Sequence, residues 1–218
     1  MRRLAALFPV ILIALVLSQF YAKGQTRRTL FGKIISGGQK YKSRNHVFTV
    51  VLPQPTAFEP MPYSVHEDAK KAEYETAAFF IFDFGEMYSA GILQTPGEAD
   101  LGAVADNAAT SEKHQLANPP HSIEETKVST QFGEGLLRLY FAKNGSLLKS
   151  GQIGQDSKTL QFLDSYIAVL VVRQGTRVFF AAARDDNIGH IENYSEERWK
   201  QRLKDSVPKF FATMIVSP

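Results

Sequence analysis

His66, Glu67 and Asp68 are the residues whose types and spacing first suggest chemistry. In extended backbone, side chains two apart share a face, so Asp68 would orient the His66 imidazole for general acid–base work. His121 is a third candidate, and joining it to that pair requires tertiary convergence. The five histidines, His46, His66, His114, His121 and His190, show no zinc-motif spacing and no His-Glu-x-x-His run. Asp185, Asp186 and Asn187, with Glu192 nearby, offer oxygen ligands for a metal of the calcium type. Their spacing departs from the EF-hand pattern, so a solvated acidic turn is the competing expectation.

Other chemistries are excluded or unsupported. The chain has no cysteine, which removes thiolate nucleophiles, disulfides and cysteine-ligated metals. No Gly-x-Ser-x-Gly elbow occurs. Gly133-Glu134-Gly135 and Gly151-Gln152-Ile153-Gly154 lack the Lys-Ser/Thr pair that follows a phosphate-binding loop. No cofactor is expected.

The N-terminus speaks to compartment. Arg2 and Arg3 precede an uncharged apolar run over 4–17, and a more polar stretch over 18–25 includes Ala22-Lys23-Gly24. That order predicts a secretory signal cleaved after Gly24, or an uncleaved membrane anchor if the run extends to Ala22. A spanning helix needs about 20 apolar residues. An exported domain, periplasmic or extracellular, either free or tethered to the inner membrane, is the resulting expectation. Lys plus Arg number 25 against 22 Asp plus Glu, and Arg2, Arg3 and Lys23 account for that whole excess. The remaining chain is formally neutral and gives no electrostatic case for nucleic acid. Arg27, Arg28, Lys33, Lys40, Lys42 and Arg44 all precede the first acidic residue, Glu59. With residues 1–22 they offer a segment for membrane contact, against which stands a solvated, flexible arm, the reading that their dispersed spacing favours. The domain reading is a signal or anchor over 1–24, a flexible basic arm over 25–40, and one domain over 41–218.

The elements that must position these residues follow from hydrophobic period. Residues 47–52 form a buried strand closed by Pro53, and 63–66 a short strand, with 67–74 open to a helical start. Residues 76–83 and 86–94 read as an aromatic-rich hairpin around Asp83-Phe84-Gly85. Its aromatics on both faces fit a central strand covered on each side, with an apolar ligand pocket as the alternative. Asp100 caps a helix over 100–117, stopped by Asn118-Pro119-Pro120. Strands are expected over 123–130 and 135–142, with a turn at Asn144-Gly145. A second hairpin spans 165–173 and 176–184. The last element is a helix capped by Asn193 or Ser195. Trp199, Leu203, Phe210 and Met214 form one face, and Pro208 predicts a kink or a break near Lys204 to Asp205. The sum is an α+β domain built on an antiparallel sheet with flanking helices.

Three stretches, Phe48-Thr49-Val50-Val51-Leu52-Pro53, Phe82-Asp83-Phe84-Gly85-Glu86-Met87-Tyr88, and the closing strand pair 166–184 with the helix 195–216, resemble the PsbP/Mog1-like family. The resemblance covers about residues 40–217 and implies an α/β/α sandwich. It also implies a binding or assembly module rather than an enzyme, and with the export signal this makes a non-catalytic domain that binds a protein partner in the cell envelope the expectation. No family metal-site or partner-site motif carries over to residues here. The alternative is a ligand-binding or hydrolytic enzyme whose His66, Asp68 and His121 meet only in space.

Overall fold

Alternation at period two runs through most of this chain, and a computed structural model shows how it is used. The structure describes residues 28–29, 32–54, 62–71, 74–81, 86–95, 97, 99–111, 116–150, 159–186 and 195–217. The signal segment 1–24, the hairpin turn 82–85, His114, Asn187, His190, Glu192 and Asn193 lie outside them.

Twelve strands form two sheets among the described residues. They are β1 (Arg28–Thr29), β2 (Gly32–Ser36), β3 (Lys40–Lys42), β4 (Phe48–Val51), β5 (Pro62–Lys71), β6 (Tyr74–Ile81), β7 (Glu86–Gln94), β8 (His121–Thr130), β9 (Gly133–Ser150), β10 (Thr159–Gln174), β11 (Arg177–Asp185) and β12 (Ile215–Val216). The large sheet has the order β1-β2-β5-β6-β7-β11-β10-β9-β8, and β12-β4-β3 form the small one. Every pairing is antiparallel.

The middle of the large sheet is apolar on both faces. In β10, Tyr166, Ala168, Leu170 and Val172 join one buried cluster, and Ile167, Val169 and Val171 join another. Helix α1 (Leu101–Ala109) supplies Ala105 and Ala109 to the second cluster. Helix α2 (Glu196–Ala212) supplies Trp199, Leu203, Val207, Phe210 and Phe211 to the first. The layering is therefore helix, sheet, helix, as the α+β reading requires.

Several local expectations are corrected. The segment 67–71 is strand, because it continues the ladder of β5 against β6. Part of the expected flexible arm, Gly32–Ser36, is a paired strand with Ile35 buried. α1 stops at Ala109, where Thr110 Oγ1 turns back to donate to the Asp106 carbonyl at 2.8 Å. Asn144-Gly145 makes a bulge inside β9 instead of a turn. The register jumps between Leu163 and Ser165, and Asn144 takes φ 51° with its N–H on Asp164 Oδ1 at 2.8 Å. α2 runs unbroken through Pro208.

Both ends of α2 are satisfied by side chains. Ser195 Oγ accepts from the Arg198 N–H, and Glu196 and Glu197 sit in the positive first turn. At the other end Gln131 Nε2 donates to the carbonyls of Phe211 at 3.2 Å and Met214 at 3.3 Å. The amide thus ties the β8–β9 turn to the last turn of the helix. Gln131→Ala should cost about 1 kcal/mol in urea unfolding and raise hydrogen exchange over 211–214. An unchanged unfolding midpoint would mean that water replaces the amide at no cost.

Candidate functional site

The three residues considered for catalysis do not converge. His66 and Asp68 share one face of β5, with His66 exposed and its ring edge-on to Phe80 at 5.1 Å. Ser64 Oγ lies 3.3 Å from His66 Nε2. His121 begins β8, at the far edge of the sheet, and packs against Phe141. β5 and β8 stand six positions apart in the strand order. At about 4.8 Å per strand that separates them by about 29 Å.

Of the acidic segment expected as a solvated turn or metal site, Asp185 and Asp186 are instead built into the core. Asp185 and Asp186 are 5% and 2% exposed. Arg202 of α2 pairs with Asp185, and Arg184 pairs with Asp186 at 2.5 Å. Ser165 donates to Asp186 at 2.6 Å, so the Ser146 hydroxyl, 2.8 Å away, donates to Ser165. These contacts are what a buried carboxylate needs. Among the described residues, no three His, Cys, Asp or Glu side chains are grouped to hold a metal ion.

A cleft opens elsewhere, on the α1 side of the sheet, between the flank of that helix and β6, β7 and β11. It encloses about 120 Å³. Leu93, Val104, Ala108 and Phe180 give it apolar walls, while Thr76, Ser89, Asn107 and Ser111 bring hydroxyl and amide groups. Gly91 explains the floor. A Cβ at that position would stand 2.5 Å from Phe180 Cε1 and 2.6 Å from Thr76 Cγ2. Its absence lets the Phe180 ring lie across β7.

Electrostatics fix the helix over this cleft. Asp100 Oδ1 accepts from the Gly102 N–H at 2.8 Å and starts α1. Arg138 of β9 then reaches Asp106 Oδ1 at 2.8 Å, the Gly102 carbonyl at 3.2 Å and Glu125 at 2.5 Å. The Tyr140 hydroxyl donates to the same Asp106 oxygen at 2.7 Å. The Tyr140 hydrogen bond, with Arg138 second to it, holds the Asp106 carboxyl below its ordinary range. Burial and the bond to Asp106 push the Tyr140 phenol up.

One sequence candidate is the cross-strand neighbour of a cleft residue. Asp68 pairs in register with Thr76, on the same face, and its Oδ1 is buried without a hydrogen-bond partner. Sequence reasoning missed Ser89, Phe180 and the α1 flank. Gly91 is the signal that was available, because an isolated glycine in a strand marks a close approach.

Because the folded Asp106 carboxyl titrates below its ordinary 3.8, its contribution to α1 docking is complete above that pH and is lost as pH falls further. Hydrogen exchange should show α1 amides losing protection in acid before those of β10. Asp106→Asn should flatten that acid response. Equal acid profiles in both proteins would show that another group governs the docking.

No protein-family model matches the chain, and no curated protein matches it. Solved structures of PsbP/Mog1-like proteins do resemble it. The solution structure of cyanobacterial PsbP from Synechocystis sp. PCC 6803 is 11% identical, covers 84% of this chain and 94% of that one, and has a TM-score of 0.47. A Mog1 point mutant is 11% identical over 82% of this chain and 95% of that one, with a TM-score of 0.38. LpqN, described as involved in cell envelope biogenesis of Mycobacterium tuberculosis, is 10% identical over 85% and 92%, with a TM-score of 0.35. The sandwich itself rests on the strand pairing and the two covered faces described above.

Proposed function

We propose that this chain is an exported, non-catalytic binding domain of the cell envelope, and that it seats one apolar side chain of a protein partner in the cleft beside α1. The cleft carries the reading. Its volume, about 120 Å³, is close to the roughly 150 Å³ that holds one benzene ring. A buried apolar anchor of that size is what dominates the energy of many protein interfaces. Thr76 and Ser89 stand at its sheet side and Asn107 at its exposed rim, which suits a side chain attached to a polar backbone.

The hydrolytic alternative loses support from the distance between His121 and the His66–Asp68 pair. Export rests on the charge and hydropathy order of residues 1–24. Membrane contact through residues 1–22 belongs to the alternative in which they are retained as an anchor; Arg27, Arg28, Lys33, Lys40, Lys42 and Arg44 would add to it by charge, and Lys40, Lys42 and Arg44 are exposed. Among the described residues, no helix is long and apolar enough to cross a membrane.

Two measurements test this. A photo-crosslinking residue in place of Asn107 should capture a defined envelope protein in cells. Adding Ala108→Trp, which fills the cleft, should lower that yield by about tenfold while the thermal midpoint is kept. An undiminished yield would remove the cleft as the seat, and a saturable hydrolytic turnover would remove the non-catalytic reading. Intact mass of the native protein should show a mature chain beginning at Gln25 in a soluble fraction. A full-length species in membranes would convert residues 1–22 into an anchor.

A further inference from the structure

Glu75 lies on β6 between Tyr74 and Thr76, which both line the cleft, but its own side chain belongs to the opposite face. It is 4% exposed. Its Oε1 accepts from the Asn45 N–H at 2.8 Å, and its Oε2 is buried with no hydrogen-bond partner. Ionised carboxylates are rarely left in this state, because burial without a partner for the charge is strongly unfavourable.

A second carboxylate stands beside it. Glu67 pairs in register with Ala77, two residues from Glu75, so the two are diagonal neighbours on one face of adjacent strands. Such positions lie about 7–8 Å apart, within reach of one shared ion. Glu67 is exposed and opens the pair to solvent. The Tyr41 hydroxyl donates to Glu67 Oε1 at 2.8 Å. Burial first, then that bond and the charges of Glu67 and Glu75, push the Tyr41 phenol up, which sets all three groups in one electrostatic neighbourhood. Among the described residues no lysine or arginine forms an ion pair with either glutamate.

We propose that Glu75 Oε2 and Glu67 form a seat for a hard divalent cation of the calcium class, with water completing its shell. Two negative charges, one of them desolvated, supply the attraction. The donors are all oxygens, which favours calcium or magnesium over zinc or copper. Calcium accepts the irregular geometry that a strand diagonal provides, whereas magnesium demands a near-ideal octahedron. With two carboxylates and an open side, the affinity falls in the range of extracellular calcium modules, about 10⁻⁴–10⁻³ M. That range matches an exported protein, and the site does not depend on what occupies the cleft.

Terbium luminescence on the purified full chain tests the seat, with Tyr41 as the nearby sensitiser. Wild-type protein should give saturable Tb³⁺ emission under tyrosine excitation, displaced by Ca²⁺ in the submillimolar to millimolar range, and Ca²⁺ should raise the thermal midpoint. Glu75→Gln keeps an oxygen for the Asn45 N–H and should weaken Tb³⁺ binding about tenfold or more. Glu67→Gln, at an exposed position, should weaken it in a protein whose circular dichroism is unchanged. No saturable emission from the wild type would overturn the proposal, as would emission that both variants retain in full. A Glu75→Gln protein that melts higher while the wild type ignores Ca²⁺ would also overturn it, marking Glu75 as an uncompensated buried acid.

Discussion

Strand β10 cannot be left in water on either face, and the rest of the architecture answers that constraint. Residues 166–172 are all buried, with alternate side chains entering two separate clusters. Burying a large aliphatic side chain is worth about 1.5–3 kcal/mol, so leaving either row exposed would consume much of a domain's net stability. One helix must therefore lie on each face. α2 answers on one side with Trp199 against Tyr166, ring centroids 4.5 Å apart, and with Phe210 against Tyr88 and Phe79. The Arg202–Asp185 pair and Lys204 on Glu124 at 2.5 Å hold the same helix at two further strands.

The opposite face is covered more sparingly. α1 is nine residues long, and four of them are alanine, so it approaches the sheet closely but spans little of it. It meets β10, β9 and β11, and the cleft opens at its flank toward β6 and β7. A longer or bulkier helix would fill that space. The Arg138–Asp106–Tyr140 cluster then has a definite role, since a helix this short gains little from its own hydrogen bonds and depends on tertiary contacts. The cleft is thus a product of the same requirement that organises the core, met by an element too small to satisfy it everywhere.

Buried acids in this protein are handled in two ways. Asp185 and Asp186 each have an arginine, and Asp186 also ends a chain of serine hydroxyls. Glu75 has one backbone N–H and a bare second oxygen. Among the described acidic residues, Glu75 thus departs from Asp185 and Asp186, whose burial is matched by a cation. Its place on the strand that also lines the cleft puts the two unusual features of the molecule back to back across one sheet.

Much of the architecture was legible in the residues themselves. The 166–184 hairpin, the Asp100 and Ser195 caps, the apolar face of α2 and the aromatic hairpin follow from local period and capping chemistry, which depend only on neighbours in sequence. The Asn144 bulge was not legible, because it depends on Asp164 in the neighbouring strand, whereas the early stop of α1 is a local event, the Thr110 hydroxyl on the Asp106 carbonyl, that helical period alone does not register. The candidate site divides the same way. Sequence placed His66 and Asp68 on one face, a consequence of strand period alone. Only the tertiary structure separated His121 from them, drew Asp185 and Asp186 into the core, and set Glu67 beside Glu75. Those outcomes depend on strand order and register, which are decided by how the whole sheet buries its two faces and leave no mark in any short stretch of the chain.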